Sequence, residues 1–243
     1  HDGSTFLDLQ NNIPHVGHCH PDVVRAGMQQ MVCLNTNTRY LSHQLARYSQ
    51  HLLQYFPPKL NKIFFVNSGS AATDLALRLA RHHTARPIMA AMEHGYHGNT
   101  QAAIAVSHYK FAGKGGQGQP HDTVVVPLAV KDSEGLALPL ARLAGIIAGP
   151  VVGCGGQIPL DPSWFSELAS EIQGAGGVYI SDEVQTGFGR LGEGAFWGFQ
   201  AFSVTPDIVI IGKPIGNGHP MAAVVTTEAI AQGFHNGMEF FSS

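Results

Sequence analysis

The sequence predicts a doubly wound α/β domain, a mostly parallel sheet with helices on both faces. Apolar strand-like runs alternate with segments of helical spacing, the pattern of βαβ units. The run Ile208-Val209-Ile210-Ile211 holds no polar residue, as a strand buried on both faces requires. Turns of small residues follow several of the runs, where a doubly wound sheet opens toward a ligand.

Taken in order, "DGSTFLDL" (2–9) predicts a turn feeding a strand whose partner lies upstream. Helical periodicity covers 20–31, the polar loop "NTNTRY" fills 35–40, and a second amphipathic segment covers 42–55. "NKIFFVNSGS" (61–70) is a short apolar strand breaking into a small-residue turn. The helix 71–83 follows, with Leu75, Ala76, Leu79 and Ala80 on one face. A strand at 87–92, the turn "EHGYHGNT" (93–100) and the long loop 111–122 come next; no Gly-Lys-Ser/Thr follows that loop in P-loop frame. Further strands are predicted at 122–128, 143–153, 176–183 and 206–213, with a helix at 163–173. Residues 1–55 are expected to lead into a large domain over 56–243. Both ends have the look of cuts, so a longer chain is expected.

Composition narrows the function. A hydrophobic fraction of 44% and a charged fraction of 13% describe a globular chain. The net charge of -3 gives no basic footprint for nucleic acid. No run has the length of a membrane span and no signal peptide is visible. Three scattered cysteines, Cys19, Cys33 and Cys154, suit a reducing compartment, so a cytoplasmic location is expected. "HVGHCH" (15–20) offers His15, His18, Cys19 and His20, but no second ligand pair at zinc-like spacing follows, and no metal is expected.

Three strand ends carry chemistry. The strand 63–66 ends in Asn67-Ser68-Gly69-Ser70 and opens a helix, 178–181 ends in Asp182-Glu183, and 208–211 ends in Lys213. Each has an ordinary reading alone: a helix cap, a turn residue and a solvated strand terminus. Together, in neighbouring strands, they would put a phosphate-binding helix start, a carboxylate and an amine in one crevice. A lysine beside a dry strand can lose its proton and act as an amine nucleophile toward an aldehyde. An aspartate can hold a pyridine nitrogen protonated. Phosphate, aldehyde and pyridine together describe pyridoxal 5′-phosphate (PLP).

The stretches "VNSGSAATDLALRLAR" (66–81), "HGYHGNT" (94–100), "SDEVQTGFGR" (181–190) and "GKPIGNGHP" (212–220) occur in this order. On them the chain resembles the class III aminotransferases, PLP-dependent enzymes of fold type I, over nearly all its length. "HVGHCHP", "LNTNTRYL" (34–41) and "SHYKFAGKGG" (107–116) are similar to the branch that eliminates phosphate from ethanolamine phosphate or phosphohydroxylysine. The resemblance implies that Lys213 carries PLP as a Schiff base and moves the substrate's Cα proton, with Asp182 on the pyridine nitrogen. Val184 and Tyr96 would take the two ring faces, and Gln185 the ring hydroxyl. Ser68, Gly69 and Ser70 would hold the phosphate, while His97 and Gly98 complete the turn under Tyr96. Ser243 stands where the family places a hydroxyl contributed by the neighbouring subunit. Arg190 is expected as a structural anchor.

The chain also departs from the family pattern. Ala71 replaces an acid in the first turn of the helix, Gly149 replaces the glutamate of a Glu-Pro pair, and the segment 128–142 is short. Three functions stay open. One is transamination from a small amine or amino acid to a keto acid. Another is phosphate elimination by a phospho-lyase. The third is a PLP-fold dimer without catalysis, motivated by Ala71 and Gly149. The resemblance implies a homodimer.

Overall fold

The computed structural model describes residues 2–7, 14–36, 40–128, 136–192 and 194–235. Residues 2–7 are irregular, and the rest of the strand expected at 2–9 lies outside the described residues, as does Ser243. Helix α1 (Pro21–Cys33) has proline in its first turn and is capped by the His20 side chain. Helix α2 (His43–Leu53) leads to strand β1 (Leu60–Val66). Ser68 then caps α3 (Gly69–Thr84), its side chain accepting from the Ala71 N–H, and basic residues fill the last turn.

Strand β2 (Ile88–Met92) is followed by two short helices, α4 (Gln101–Ala105) and α5 (His108–Phe111), which periodicity did not reveal because each is too short to show one. Strand β3 (Thr123–Val126) follows the glycine-rich loop. The strand expected over 143–153 divides: β4 (Leu143–Ala148) stops before Gly149-Pro150, and β5 (Val151–Val152) pairs instead with β6 (Ile158–Pro159) as a separate hairpin. Proline cannot donate to the ladder, so the central strand ends there. Helix α6 (Pro162–Gly174), capped by Asp161, precedes β7 (Val178–Asp182), β8 (Ile208–Ile211), β9 (Ala222–Thr227) and α7 (Glu228–Gly233).

Among the described residues the main sheet has seven strands, in the order β1-β9-β8-β7-β4-β2-β3. Pairings from β8 through β3 are parallel, whereas β9 is antiparallel to both β8 and β1. Strand β9 was not anticipated, and it separates β1 from β8. Because it reverses direction twice over, β1 and β8 still point the same way and present their carboxyl ends on one edge.

Alternation along the strands feeds two cores. Val209 and Ile211 face α6 and Trp197, while Ile208 and Ile210 face Leu75, Ala76 and Leu79 of α3. All four β8 residues are fully buried, each contributing about 1.5–3 kcal/mol relative to exposure. Trp197, Phe199 and Phe202 are core residues of the first cluster, with Phe196 packed against it.

Candidate active site

The carboxyl ends of β7 and β8, and the turn that leaves β1 for α3, converge on Val184. An ideal Cβ on Gly69 would lie 3.2 Å from Val184 Cγ2, and one on Gly212 3.3 Å from Cγ1 and 3.6 Å from the Gly69 Cα. Val184 thus wedges three strand ends that the sheet order alone leaves apart. Beside it opens a cavity of about 180 Å³. Of the predicted site residues, Gly69, Ser70, Tyr96, His97, Gly98, Asp182, Val184, Gln185 and Lys213 line it. Ser68 does not: it stands outside as the cap of α3.

Asp182 ends β7 with only 12% of its side chain exposed, and its two oxygens have separate partners. One accepts from the Val184 N–H at 3.1 Å, the other faces His97 Nδ1 at 2.7 Å. An ionised carboxylate only accepts, so the proton of this bond lies on Nδ1. His97 Nε2 is buried and has no hydrogen-bond partner among the described residues. The His97 backbone is held as tightly: its N–H donates to Ser107 Oγ at 2.8 Å and its carbonyl accepts from Thr73 Oγ1 at 2.7 Å. The resemblance implied a role for His97 in the turn under Tyr96; the structure sets its ring against Asp182, 85 positions away in the chain.

The next turn residue must be glycine. Gly98 has φ +134°, and a Cβ there would stand 2.8 Å from Ser70 Oγ and 2.9 Å from its Cα. That approach lets Ser70 Oγ accept from the Asn99 N–H at 3.0 Å beside the start of α3. Elsewhere in the lining, a Cβ on Gly153 would fall 2.3 Å from Gln185 Oε1, so the bare backbone there leaves room for that amide.

Lys213 follows the dry strand β8 with φ +40°, a left-handed conformation that costs a side-chain-bearing residue about 1–2 kcal/mol. Its side chain is exposed through the open side of the cleft and makes no hydrogen bond or ion pair among the described residues. The protein around the amine still lowers its pKa from the ordinary lysine value by desolvation, against the opposing pull of Asp182 and Cys154. Tyr96 is shifted up, chiefly by burial, with Cys154 and Asp182 adding to it. Together these groups set a carboxylate, an amine, an aromatic side chain and a helix start suited to an anion around one cavity.

Met92, Val151, Val152, Gly153 and Thr186 also line the cavity, and the sequence had not placed them there; Gly149, expected near the cofactor from the family's Glu-Pro position, lines it as well. The signal was topological: β4 lies beside β7, so its carboxyl end, Gly149-Pro150, opens on the same crevice. Cys154, on the β5–β6 turn, was seen only as a scattered thiol. Arg190 donates to His15 Nδ1 at 3.3 Å and ties the N-terminal segment to the 186–190 turn. Among the described residues no cluster of three or more His, Cys, Asp or Glu is placed to hold a metal ion.

The family model described as aminotransferase class-III matches residues 1–239. A Drosophila melanogaster protein named alanine--glyoxylate aminotransferase 2-like is 42% identical over 268 aligned residues, covering 100% of this chain and 54% of its own. A Caenorhabditis elegans protein named ethanolamine-phosphate phospho-lyase homolog 1 is 34% identical, over 98% of this chain and 58% of its own. The chain therefore spans about half the length of the curated relatives it matches. A solved phospholyase from Arthrobacter, in complex with phosphoethanolamine, superposes with TM-score 0.84 at 36% identity, over 97% of this chain and 60% of that one. A transaminase from a marine Virgibacillus shares the fold, with TM-score 0.80, 24% identity and coverage of 93% and 54%.

Proposed function

The chain belongs to the class III aminotransferases, and on that premise we propose that it binds PLP in the cavity at Lys213 and transfers an amino group from a small amine or amino acid to a keto acid. The relatives are PLP-dependent enzymes. The residues of this chain fit the group. The 16-residue helix α3 starts at Gly69 and Ser70, where free N–H groups and the helix dipole favour a phosphate. The close approach of Gly98 keeps that start clear of side chains.

When bound, PLP supplies an aldehyde that condenses with amines and a ring that withdraws electrons from the substrate carbon. The chain does the rest. Asp182, oriented by the Val184 N–H and by His97, would support a proton on the ring nitrogen. Val184, Tyr96 and Gln185 line the same cavity; Val184 and Tyr96 would confine the ring and Gln185 would bind its hydroxyl. Lys213 Nζ, its pKa lowered by burial, is suited to anchor the aldehyde as a free amine and then to take a proton from the substrate carbon and return it. The observation that carries the reading is the convergence of Lys213, Asp182 and the start of α3 on one cavity. Ala71 and Gly149 leave that convergence intact, which favours an active protein over an inactive one.

Phosphate elimination is the second reading, favoured by the likeness to the Arthrobacter phospholyase. We further propose a homodimer, supported by α1, which buries none of its residues and exposes Val24, Met28, Met31 and Val32. A reducing compartment such as the cytosol suits the three unpaired, exposed cysteines.

The test is to load the chain with PLP and add ethanolamine phosphate without a keto acid. Phosphate released continuously would replace transamination by elimination. Consumption of a single equivalent of amine, resumed only when a keto acid is added, is the transaminase result. Failure to retain PLP would overturn both readings.

A further inference from the structure

Glu183, next to Asp182, has no place in the reading above, yet it is the most heavily bonded acid near the cleft. Alternation at the end of β7 sends the two carboxylates apart. Asp182 faces the cavity, while Glu183 points inward and is fully buried. Its Oε2 accepts from Thr186 Oγ1 at 2.7 Å and from the Gly198 N–H at 2.8 Å. Its Oε1 accepts from the Phe199 N–H at 2.7 Å and from Ser181 Oγ at 3.2 Å. Burial pushes this carboxyl's pKa up and the four donors pull it back. A charge-bearing group in a dry site is costly, and the packing alone could be met by an apolar side chain.

The position of these bonds shows what the carboxylate controls. The Glu183 N–H donates to the Ile210 carbonyl of β8 at 2.8 Å, and its own carbonyl accepts from the Gly187 N–H at 3.0 Å. Only Val184 and Gln185 lie between Glu183 and Thr186, the loop residue its side chain grips. Both line the cavity. Beyond them Gly187 is pressed against Trp197, whose ring lies 3.0 Å from where a Cβ would stand. The far end of the loop 184–187 is thus fastened to Glu183 twice, by the carboxylate at Thr186 and by the backbone carbonyl at Gly187, and the same carboxylate holds the short 3₁₀ turn at Gly198–Ala201.

We propose that Glu183 is a positioning residue for the cofactor: from beneath the cleft it clamps the loop 184–187 and fixes Val184 and Gln185 against the ring. The proposal rests on the reading that the cavity holds PLP. A purely structural Glu183 would stabilise the fold without setting the affinity of the cavity, and this gives the test. PLP dissociation constants are measured by equilibrium dialysis, and the Tm of the PLP-free chain is measured separately, for wild type and Glu183→Gln. The amide keeps the shape but turns an NH₂ toward N–H and O–H donors, so PLP binding is expected to weaken about tenfold at a temperature where both proteins are folded. Thr186→Val should weaken it less, and Thr186→Ser, which keeps the donor, should restore it. A lowered Tm with unchanged PLP affinity in Glu183→Gln would overturn the proposal. Should that variant not fold, equal affinities for Thr186→Val and Thr186→Ser would overturn it. Failure of the wild type itself to bind PLP removes the premise, and that outcome shows before any variant is made.

Discussion

The two ends of the central sheet treat their polar groups in opposite ways. At the amino ends, two charged side chains tie neighbouring segments together. Arg86 donates to the Leu143 carbonyl at 3.1 Å and the Ala175 carbonyl at 2.9 Å, fastening β4 to the turn before β7. Asp207 accepts from the Tyr179 N–H at 3.0 Å and from Gln173 at 2.7 Å, fastening β7 to β8. At the carboxyl ends, Lys213 and His97 Nε2 have no hydrogen-bond partner among the described residues, and Lys213 sits in a left-handed conformation. One end spends charge on holding strands; the other keeps charge available and tolerates strain. That contrast marks the functional end without reference to any relative.

The largest break in the contrast is Lys213→Ala. It should abolish turnover and covalent retention of PLP while the chain stays folded, checked by activity and by PLP content after denaturation. Its stability carries a sign as well. Because the folded chain lowers the Lys213 pKa, the unfolded chain binds more protons between the folded and unfolded values, and stability due to this group rises with pH there. The variant should lose that rise, read as the difference between the two denaturation curves on the alkaline side of neutrality. Retained turnover would reverse the assignment of the active end.

Asp182→Asn comes next. An amide cannot support a positive ring nitrogen, so the rate is expected to fall about 10²- to 10³-fold with PLP still bound. A rate equal to wild type would make Asp182 a turn residue only. The smallest effect on activity belongs to the other end. Arg86→Met should cost about 2–4 kcal/mol of stability, because it removes charged donors from half-buried carbonyls, yet leave kcat/KM unchanged at a temperature where the protein is folded. A loss of activity without a loss of stability would mean that the two ends are not separable.

Much of this was legible in the chain itself. The dry run at 208–211, the helical face of Leu75, Ala76, Leu79 and Ala80, and the helix cap at Ser68 are local patterns, and the structure places them as a strand, a buried face and a cap. The errors were equally physical. A single strand was expected across 143–153, but Gly149-Pro150 cannot continue a ladder. Strand β9 was passed over because "MAAVVTT" follows a glycine-rich turn with weak alternation. The pairing of His97 with Asp182, and of Glu183 with the N–H groups of Gly198 and Phe199, left no periodic signal at all.

Sequence by itself determined the α/β class, most of the elements, and the residue types set at the strand ends, because helix and strand formation follow short-range spacing and backbone chemistry. Only the tertiary structure decided which ends meet. Inserting antiparallel β9 put β1 two places from β8, and Val184 bridged the gap between Gly69 and Gly212. Such a choice rests on the summed burial of both sheet faces and on pairing buried polar groups far apart in the chain, quantities that no local window contains.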